Sequence, residues 1–262
     1  MTKKILIVGG GEIGRPLEPE KGKGNYPIET LEIDREIIKL SGKANPKLVF
    51  LPTASGDSEG YVQVVKNYFG ERLGCLVEPI YLIPKEGIVL PSISDIKEKI
   101  MGADIVYVGG GNTLKMITRW KEMGIDKILK EAHEKGIVLS GISAGGICWF
   151  KYGQSDSLKT LEDPLKLTIV EGLNLIPALH APHFTREEYR HKSLQELTKT
   201  IPEVAIALED CCALEIVDKG YRVIKSKSGA KAYKCYWKEG KYCKEIIPES
   251  LEFNNLEEIL KS

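Results

Sequence analysis

A serine flanked by glycines is the most chemically informative feature of this chain. Residues 137–150 read IVLSGISAGGICWF, in which a short apolar run ends at Gly141-Ile142-Ser143-Ala144-Gly145. This G-x-S-x-G pattern is typical of a nucleophile elbow, a tight turn from a strand into a helix that exposes the serine hydroxyl above a sheet. A glycine-rich turn with a capping serine would give the same five letters. Ser143 is therefore a candidate nucleophile.

A second glycine cluster could supply the groups that stabilise an oxyanion. Gly109-Gly110-Gly111-Asn112-Thr113 follows the apolar run ADIVYV and should lie at the same edge of a sheet as Ser143. The backbone N–H of Gly110 or Gly111, together with that of Ala144, could bind a developing negative charge. A phosphate-binding or simple turn loop is the alternative interpretation of this cluster.

One of the four histidines is placed to act as a general base. His133 and His191 lie among charged or polar residues of helical patterns, whereas His180 and His183 lie in the segment ALHAPHF. His183 follows an apolar run and precedes a phenylalanine, which favours it as the base for Ser143. A purely structural histidine is the competing interpretation.

Alternating strands and helices are predicted to position these groups. Apolar runs at 4–9, 47–55, 75–83, 103–111 and 136–143 are separated by helical patterns at 34–42, 59–74, 92–102 and between 113 and 135. This order predicts an α/β fold with three αβα layers and a mostly parallel, doubly wound sheet, whose ligands bind at the carboxyl ends of the strands.

The last third of the chain has a different pattern. Residues 204–247 read as consecutive strands joined by turns at 218–220 and 238–240, which predicts a C-terminal antiparallel β extension. A terminal helix follows in NNLEEILKS. Because no linker interrupts the pattern, we expect residues 1–262 to form a single domain.

The first strand ends in a glycine motif that suggests a nucleotide site. Residues 9–14 match G-x-G-x-x-G, but Pro16, Pro19 and a polar run follow where a dinucleotide-binding fold needs a helix. We therefore expect a close backbone turn beside the active cleft. The polar segment 15–29 resembles an insertion at the same edge and could reshape the cleft.

Composition narrows the classes of partner. The 37 basic and 37 acidic residues cancel, so nothing indicates binding to nucleic acid or to an anionic membrane. The first apolar run is too short for a signal peptide and no run reaches membrane-spanning length, which predicts a cytoplasmic protein. Six cysteines without a C-x-x-C pair predict reduced thiols and no metal site.

Four motifs in order carry a family resemblance. YVGGGNT, GISAGG, APHF and ALED, together spanning 107–210, resemble the peptidase E and cyanophycinase family of serine peptidases. The resemblance implies a fold related to class I glutamine amidotransferases, with serine in place of the nucleophilic cysteine. It also implies a triad of Ser143, His183 and Asp210 that needs neither metal nor organic cofactor. Glu209 is the adjacent alternative acid, and Asp156 is a third candidate.

The resemblance also suggests a substrate class. Peptidase E is known for dipeptides with an N-terminal aspartate, and Arg186 in Thr185-Arg186-Glu187-Glu188 looks like the corresponding T-R-E motif. That motif stands closer to the histidine here, so Arg190, one helical turn further, is the competing cation. Asn112 and Thr113 are further candidates for contacting the substrate.

Three functions remain open from the sequence. The first is a serine exopeptidase for small peptides, including dipeptides with N-terminal aspartate. The second is a related amidohydrolase that uses the same triad on another amide, such as a β-linked aspartyl polymer. The third is a noncatalytic protein that binds a small molecule or nucleotide through the glycine loop at 9–14. The sequence makes no prediction of the oligomeric state.

Overall fold

Two β-sheets lie at the centre of the computed structural model, which describes residues 1–87, 89–185 and 188–262. In chain order the strands are β1 (Lys4–Val8), β2 (Lys47–Leu51), β3 (Leu76–Pro79), β4 (Ile105–Val108), β5 (Val138–Ile142), β6 (Phe150–Ser155), β7 (Thr168–Glu171), β8 (Ile176–Ala181), β9 (Ala205–Leu208), β10 (Cys212–Val217), β11 (Gly220–Lys225), β12 (Ala232–Lys238), β13 (Lys241–Ile247) and β14 (Asn254–Asn255). The helices are α1 (Leu31–Ser41), α2 (Glu59–Val65), α3 (Ile93–Met101), α4 (Thr113–Met123), α5 (Ile125–Glu134), α6 (Ala144–Ile147), α7 (Glu188–Leu197) and α8 (Glu257–Leu260). A π-helical segment, Lys66–Arg72, continues α2.

The larger sheet is the predicted parallel one. Its strand order is β14-β11-β10-β1-β5-β4-β2-β3, and the five strands from β1 to β3 in that order run parallel. Side chains alternate between its faces: Leu6 and Val8 pack with α1 and α2, whereas Ile5 and Ile7 pack with α3 to α5. Helices therefore cover both faces, which explains the nearly continuous apolar strands. The predicted α/β class with a mostly parallel sheet and an antiparallel part is confirmed.

The smaller sheet is a feature that the sequence pattern did not separate from the larger one. Its order is β13-β12-β9-β8-β6-β7, with β6, β8 and β9 parallel to one another and the other strands antiparallel. Its inner residues join the same core as α3 to α5. Leu194 of α7 packs with residues of β8, β9 and β12 in a third cluster.

The predicted C-terminal strands exist, but they divide between the two sheets. β10 and β11 form one hairpin and pair with the edge of β1, whereas β12 and β13 form a second hairpin that pairs with the edge of β9. Each hairpin covers a sheet edge that would otherwise expose unpaired backbone groups. A strand pattern shows where a hairpin is but not which edge it covers.

The strand predicted at 75–83 is shorter than expected. β3 ends at Pro79, and the backbone N–H groups of Leu82 and Ile83 donate to Asp57 Oδ2 at 2.5 and 2.6 Å instead of to a neighbouring strand. The helix predicted at 92–102 is confirmed as α3. No helix in the described part of the chain has both the length and the apolar character that a membrane span requires.

Candidate active site

Ser143 occupies a sharp turn between β5 and the single-turn helix α6. Its backbone has φ 55° and ψ −116°, a conformation that side chains rarely adopt and that costs about 1–3 kcal/mol. The flanking glycines make the turn possible, because a Cβ on Gly145 would lie 2.1 Å from Val108 O and one on Gly141 would lie 2.3 Å from Gly145 O. The strained turn and both glycines agree with the predicted elbow geometry.

A chain of hydrogen bonds joins Ser143 to an imidazole and a carboxylate. Ser143 Oγ lies 2.9 Å from His183 Nε2, and His183 Nδ1 lies 2.7 Å from Asp210 Oδ1. Beside an ionised carboxylate, which only accepts hydrogen bonds, an imidazole carries its proton on Nδ1 and leaves Nε2 to accept the serine proton. The structure therefore brings together the three residues that the resemblance implied.

The three residues come from the two different sheets. Ser143 follows β5 at the carboxyl edge of the larger sheet, whereas His183 and Asp210 follow β8 and β9, which are parallel neighbours in the smaller one. The backbone N–H of His183 donates to Gly9 O at 3.1 Å, which ties the end of β1 to this junction. Thr185 Oγ1 accepts the Asp210 N–H at 2.8 Å. The site thus lies where the two sheets meet.

Gly10 is a residue at this junction whose importance the sequence did not reveal. Its carbonyl accepts the Cys211 N–H at 2.8 Å, and a Cβ atom on Gly10 would lie 2.0 Å from Asp210 Oδ1. The first glycine loop therefore passes directly beside the His183 and Asp210 side chains. This position matches the expected close turn beside the cleft.

The two alternative acids have other partners. Glu209 accepts hydrogen bonds from Tyr233 Oη at 3.0 Å and from the Lys231 N–H at 2.9 Å. Asp156 pairs with Lys159 at 2.8 Å. Of the three candidates, Asp210 is the one whose carboxylate contacts His183 Nδ1.

Two of the predicted oxyanion donors are next to the serine: Ala144 follows it in the chain and Gly110 lies beside it. Ala144 is the first residue of α6, and the first N–H groups of a helix have no partner within the helix. A Cβ on Gly110 would lie 3.5 Å from Ser143 Cβ, and the Gly110 N–H points to Tyr61 Oη at 3.4 Å. A Cβ on Gly111 would lie 2.2 Å from Ala54 O, so the loop needs glycine there to pass this backbone.

A polar cavity of about 430 Å³ opens on one side of Ser143 and His183. Two positively charged side chains, Lys159 and the largely buried Arg190, contribute to its lining. Gln154 also lines it, and among the described residues its Oε1 atom has no hydrogen-bond partner. Asp156 lines the cavity too and pairs with Lys159 at 2.8 Å, so the lining combines the positive charge of Arg190, an ion pair and a buried acceptor. Neither Gln154 nor Lys159 belongs to a motif in the sequence, so their place in the cavity was not predicted.

Two of the three residues predicted to contact the substrate line this polar cavity. Asn112 and Thr113 line it, but Asn112 Oδ1 accepts the Lys115 N–H at 2.9 Å and its Nδ2 donates to Ser157 O at 3.0 Å. Asn112 thus begins α4 and fixes the loop after β6. Arg186 lies outside the described residues. The roles assigned to these residues remain predictions.

A second cavity, of about 480 Å³, opens on the other side of the same two residues. Its wall comes from α2, from the carboxyl ends of β4 and β5, and from residues 11–16. Burial raises the pKa of Tyr61, one of its lining residues, to about 12. The Tyr61 hydroxyl therefore stays protonated at neutral pH.

Within the described part of the chain, no group of three or more His, Cys, Asp or Glu side chains is arranged to hold a metal ion.

The chain is similar in sequence and in fold to known peptidases. The chain is 34% identical over 248 residues to the uncharacterized peptidase YgaJ of Bacillus subtilis (strain 168), covering 94% of this chain and 97% of the relative. It is 25% identical over 204 residues to the peptidase E of a Nostoc strain, and the alignment covers 74% of this chain and 78% of the relative. The crystal structure of a peptidase from an acI-B1 Actinobacterium shares the fold, with a TM-score of 0.68, 18% identity and 97% coverage of both chains. A family model for peptidase family S51 matches residues 22–224, and the chain therefore belongs to this peptidase family.

Proposed function

We propose that the protein is a serine peptidase that cleaves small peptides through an acyl-enzyme on Ser143. The observation that carries this proposal is the hydrogen-bonded chain from Ser143 Oγ to His183 Nε2 at 2.9 Å and from His183 Nδ1 to Asp210 at 2.7 Å. This order of nucleophile, base and orienting acid is the arrangement that activates a serine hydroxyl.

The proposed reaction has two halves. His183 Nε2 takes the Ser143 proton while Oγ attacks the scissile carbonyl, and Asp210 stabilises the resulting imidazolium. The C–N bond then breaks as His183 gives the proton to the leaving amine. A water molecule repeats the sequence on the ester and releases the new carboxylate.

The oxyanion of each tetrahedral intermediate must be stabilised by hydrogen-bond donors. We assign this role to the Ala144 N–H at the start of α6 and to the Gly111 N–H; the alternative donor, the Gly110 N–H, would first have to leave Tyr61 Oη, which accepts it at 3.4 Å. The positive end of the short helix adds to the same effect. Removal of one such donor typically costs about 10²–10³ in rate.

The shape of the site supports short peptides as substrates. Two cavities of about 430 and 480 Å³ flank Ser143, each within the size range of small-ligand pockets, about 300–1,000 Å³. In the polar cavity, Arg190 offers positive charge for a substrate carboxylate, and Lys159 is paired with Asp156 at 2.8 Å. Gln154 Oε1 offers an acceptor for a peptide amine. Dipeptides with N-terminal aspartate, which carry both groups, are the first substrates to test.

Hydrolysis of a peptide panel by the wild type and by Ser143→Ala tests the proposal. The variant should lose up to about a millionfold in turnover, since triad members act as a unit, and should retain the wild-type melting temperature. Turnover of a β-aspartyl amide but not of α-linked dipeptides would favour the related amidohydrolase. Full activity of Ser143→Ala would refute the assignment of the nucleophile.

A further inference from the structure

The second cavity beside Ser143 is predominantly apolar in its lining. Its apolar side chains are Ile13, Pro16, Tyr61, Val64, Tyr107 and Ile142. Ser143 and His183 line it as well as the polar cavity, so the nucleophile lies between two cavities of opposite character. A peptide bond placed at Ser143 would therefore have different surroundings on its two sides.

Helix α2 supplies the inner wall of this cavity. Tyr61 and Val64, three residues apart, lie on the same face of the helix. The Tyr61 ring packs edge-on against Phe50 with centroids 5.3 Å apart, and its hydroxyl accepts the Gly110 N–H at 3.4 Å. These two contacts hold the ring beside the reaction centre.

The outer wall comes from the polar segment that follows β1. Its two arms pair through backbone bonds from Glu29 N to Glu12 O at 2.7 Å, from Tyr26 N to Arg15 O at 2.9 Å and from Leu17 N to Gly24 O at 3.0 Å. The Arg15 guanidinium also stacks 4.1 Å above the centroid of the Tyr26 ring. The wall residues 11–16 precede the range matched by the family model, which begins at residue 22.

The charges at this wall are compensated within the wall itself. Arg15 pairs with Glu12 at 3.0 Å and with Glu18 at 3.4 Å. A charged substrate side chain would lose water on entering the cavity and would compete with these pairs for a partner. Transfer of an uncharged apolar side chain from water into the cavity is instead favourable in free energy.

We propose that this cavity is a specificity pocket for an apolar side chain of the peptide, on the opposite side of the scissile bond from the polar cavity. The inference rests on the proposed peptidase function and deepens it. The preferred substrates would be short peptides in which one residue beside the scissile bond is large and apolar. In a hydrophobic pocket, one methylene group more or less changes specificity by about 10–200-fold.

Changing the size of Val64 tests the pocket. Val64→Phe would fill it and Val64→Ala would enlarge it, while Gln63→Phe adds the same bulk at an exposed position of the same helix as a matched control. The substrates are dipeptides in which each position carries in turn Gly, Ala, Val, Leu, Phe, Asp or Lys. The measured quantity is kcat/KM for each peptide. Labelling of Ser143 by a fluorophosphonate is followed in every variant.

The expected result is a change in the ranking of apolar residues at one position. Val64→Phe should lower kcat/KM for Leu and Phe peptides about 10–200-fold relative to Gly and Ala peptides. Val64→Ala should shift the preference towards Phe, and Gln63→Phe should leave the ranking unchanged. An unchanged ranking in both Val64 variants with intact labelling overturns the pocket but not the peptidase. Absence of labelling in the folded wild type overturns the peptidase function instead.

Discussion

Gly10 provides a sharp test of the contact between the two sheets at the active site. A Cβ atom on Gly10 would lie 2.0 Å from Asp210 Oδ1 and 2.4 Å from His183 Nδ1, although Cβ contacts below 3.0 Å are essentially never seen. In Gly10→Ala the carboxylate must move by about 1 Å, and a misplacement of that size can cost about 10²-fold in rate. Gly10 has no positive φ, so the effect comes from this contact and not from backbone strain.

The largest loss of rate expected for Gly10→Ala is that of breaking the hydrogen bond between His183 Nδ1 and Asp210 Oδ1. If Asp210 no longer holds the imidazole, His183 loses its useful tautomer, a change that lowers turnover about 10⁴-fold in a serine protease triad. We therefore expect the rate of fluorophosphonate labelling at Ser143 to fall by about 10²–10⁴-fold. Circular dichroism and the melting temperature would show that the protein remains folded.

Gly70→Ala is the matched control for this experiment. Gly70 lies in the π-helical segment, and the nearest atom to an added Cβ is Val77 Cγ2 at 3.6 Å, an ordinary contact. Its labelling rate should equal that of the wild type. If Gly10→Ala is labelled as fast as Gly70→Ala, the close packing of the first glycine loop against His183 and Asp210 has no role in reactivity.

Substitutions of four carboxylates distinguish the catalytic acid from acids with other roles. Asp210→Asn should lower the labelling rate about 10⁴-fold. Glu209→Gln changes a carboxylate that is hydrogen-bonded to Tyr233 and should leave the rate unchanged. Equal losses in the two variants would contradict the assignment of Asp210 as the triad acid. Asp156→Asn should also leave labelling unchanged, because Asp156 pairs with Lys159 and not with the histidine; a loss like that of Asp210→Asn would make Asp156 the acid. Burial raises the pKa of Asp34 from 3.8 to about 7. Between these two values the native state keeps a proton that the unfolded chain releases. The free energy of unfolding should therefore fall by up to about 1.4 kcal/mol per pH unit as the pH rises from about 4 to 7. Asp34→Asn should remove that dependence, and parallel melting temperatures of the two proteins from pH 4 to pH 8 would refute it.

The local part of the site could be predicted from the sequence. The elbow at Ser143 depends on neighbours within two residues, because Gly141 and Gly145 allow the chain to turn where side chains would collide. The parallel sheet could also be predicted, because buried strands that alternate with helices along the chain appear in the sequence as short apolar runs. Helix α3 begins with a capping box at Ser92, and its predicted bounds agree with the structure within one residue at each end.

The non-local part of the site could not be predicted from patterns alone. Glu209 and Asp210 are adjacent and point in different directions, so the choice between them depends on how the chain turns after β9. His183 and Asp210 approach Ser143 because a second sheet packs against the first. The sequence pattern indicated strands at 204–247 as one extension and did not indicate β6, β7 and β8, so the second sheet was not predicted. The close approach of Gly10 to Asp210 depends on the same contact. The glycine loop predicted a close turn beside the cleft, but not the side chains that the turn would meet.

The most direct test of the proposed peptidase chemistry is labelling with a serine-directed fluorophosphonate, with the modified residue identified by mass spectrometry. We expect one adduct, on Ser143, in the wild type, no adduct at that position in Ser143→Ala, and strongly slowed labelling in His183→Ala. A folded wild-type protein that is not labelled, or that is labelled equally fast without His183, would contradict an activated serine at this site.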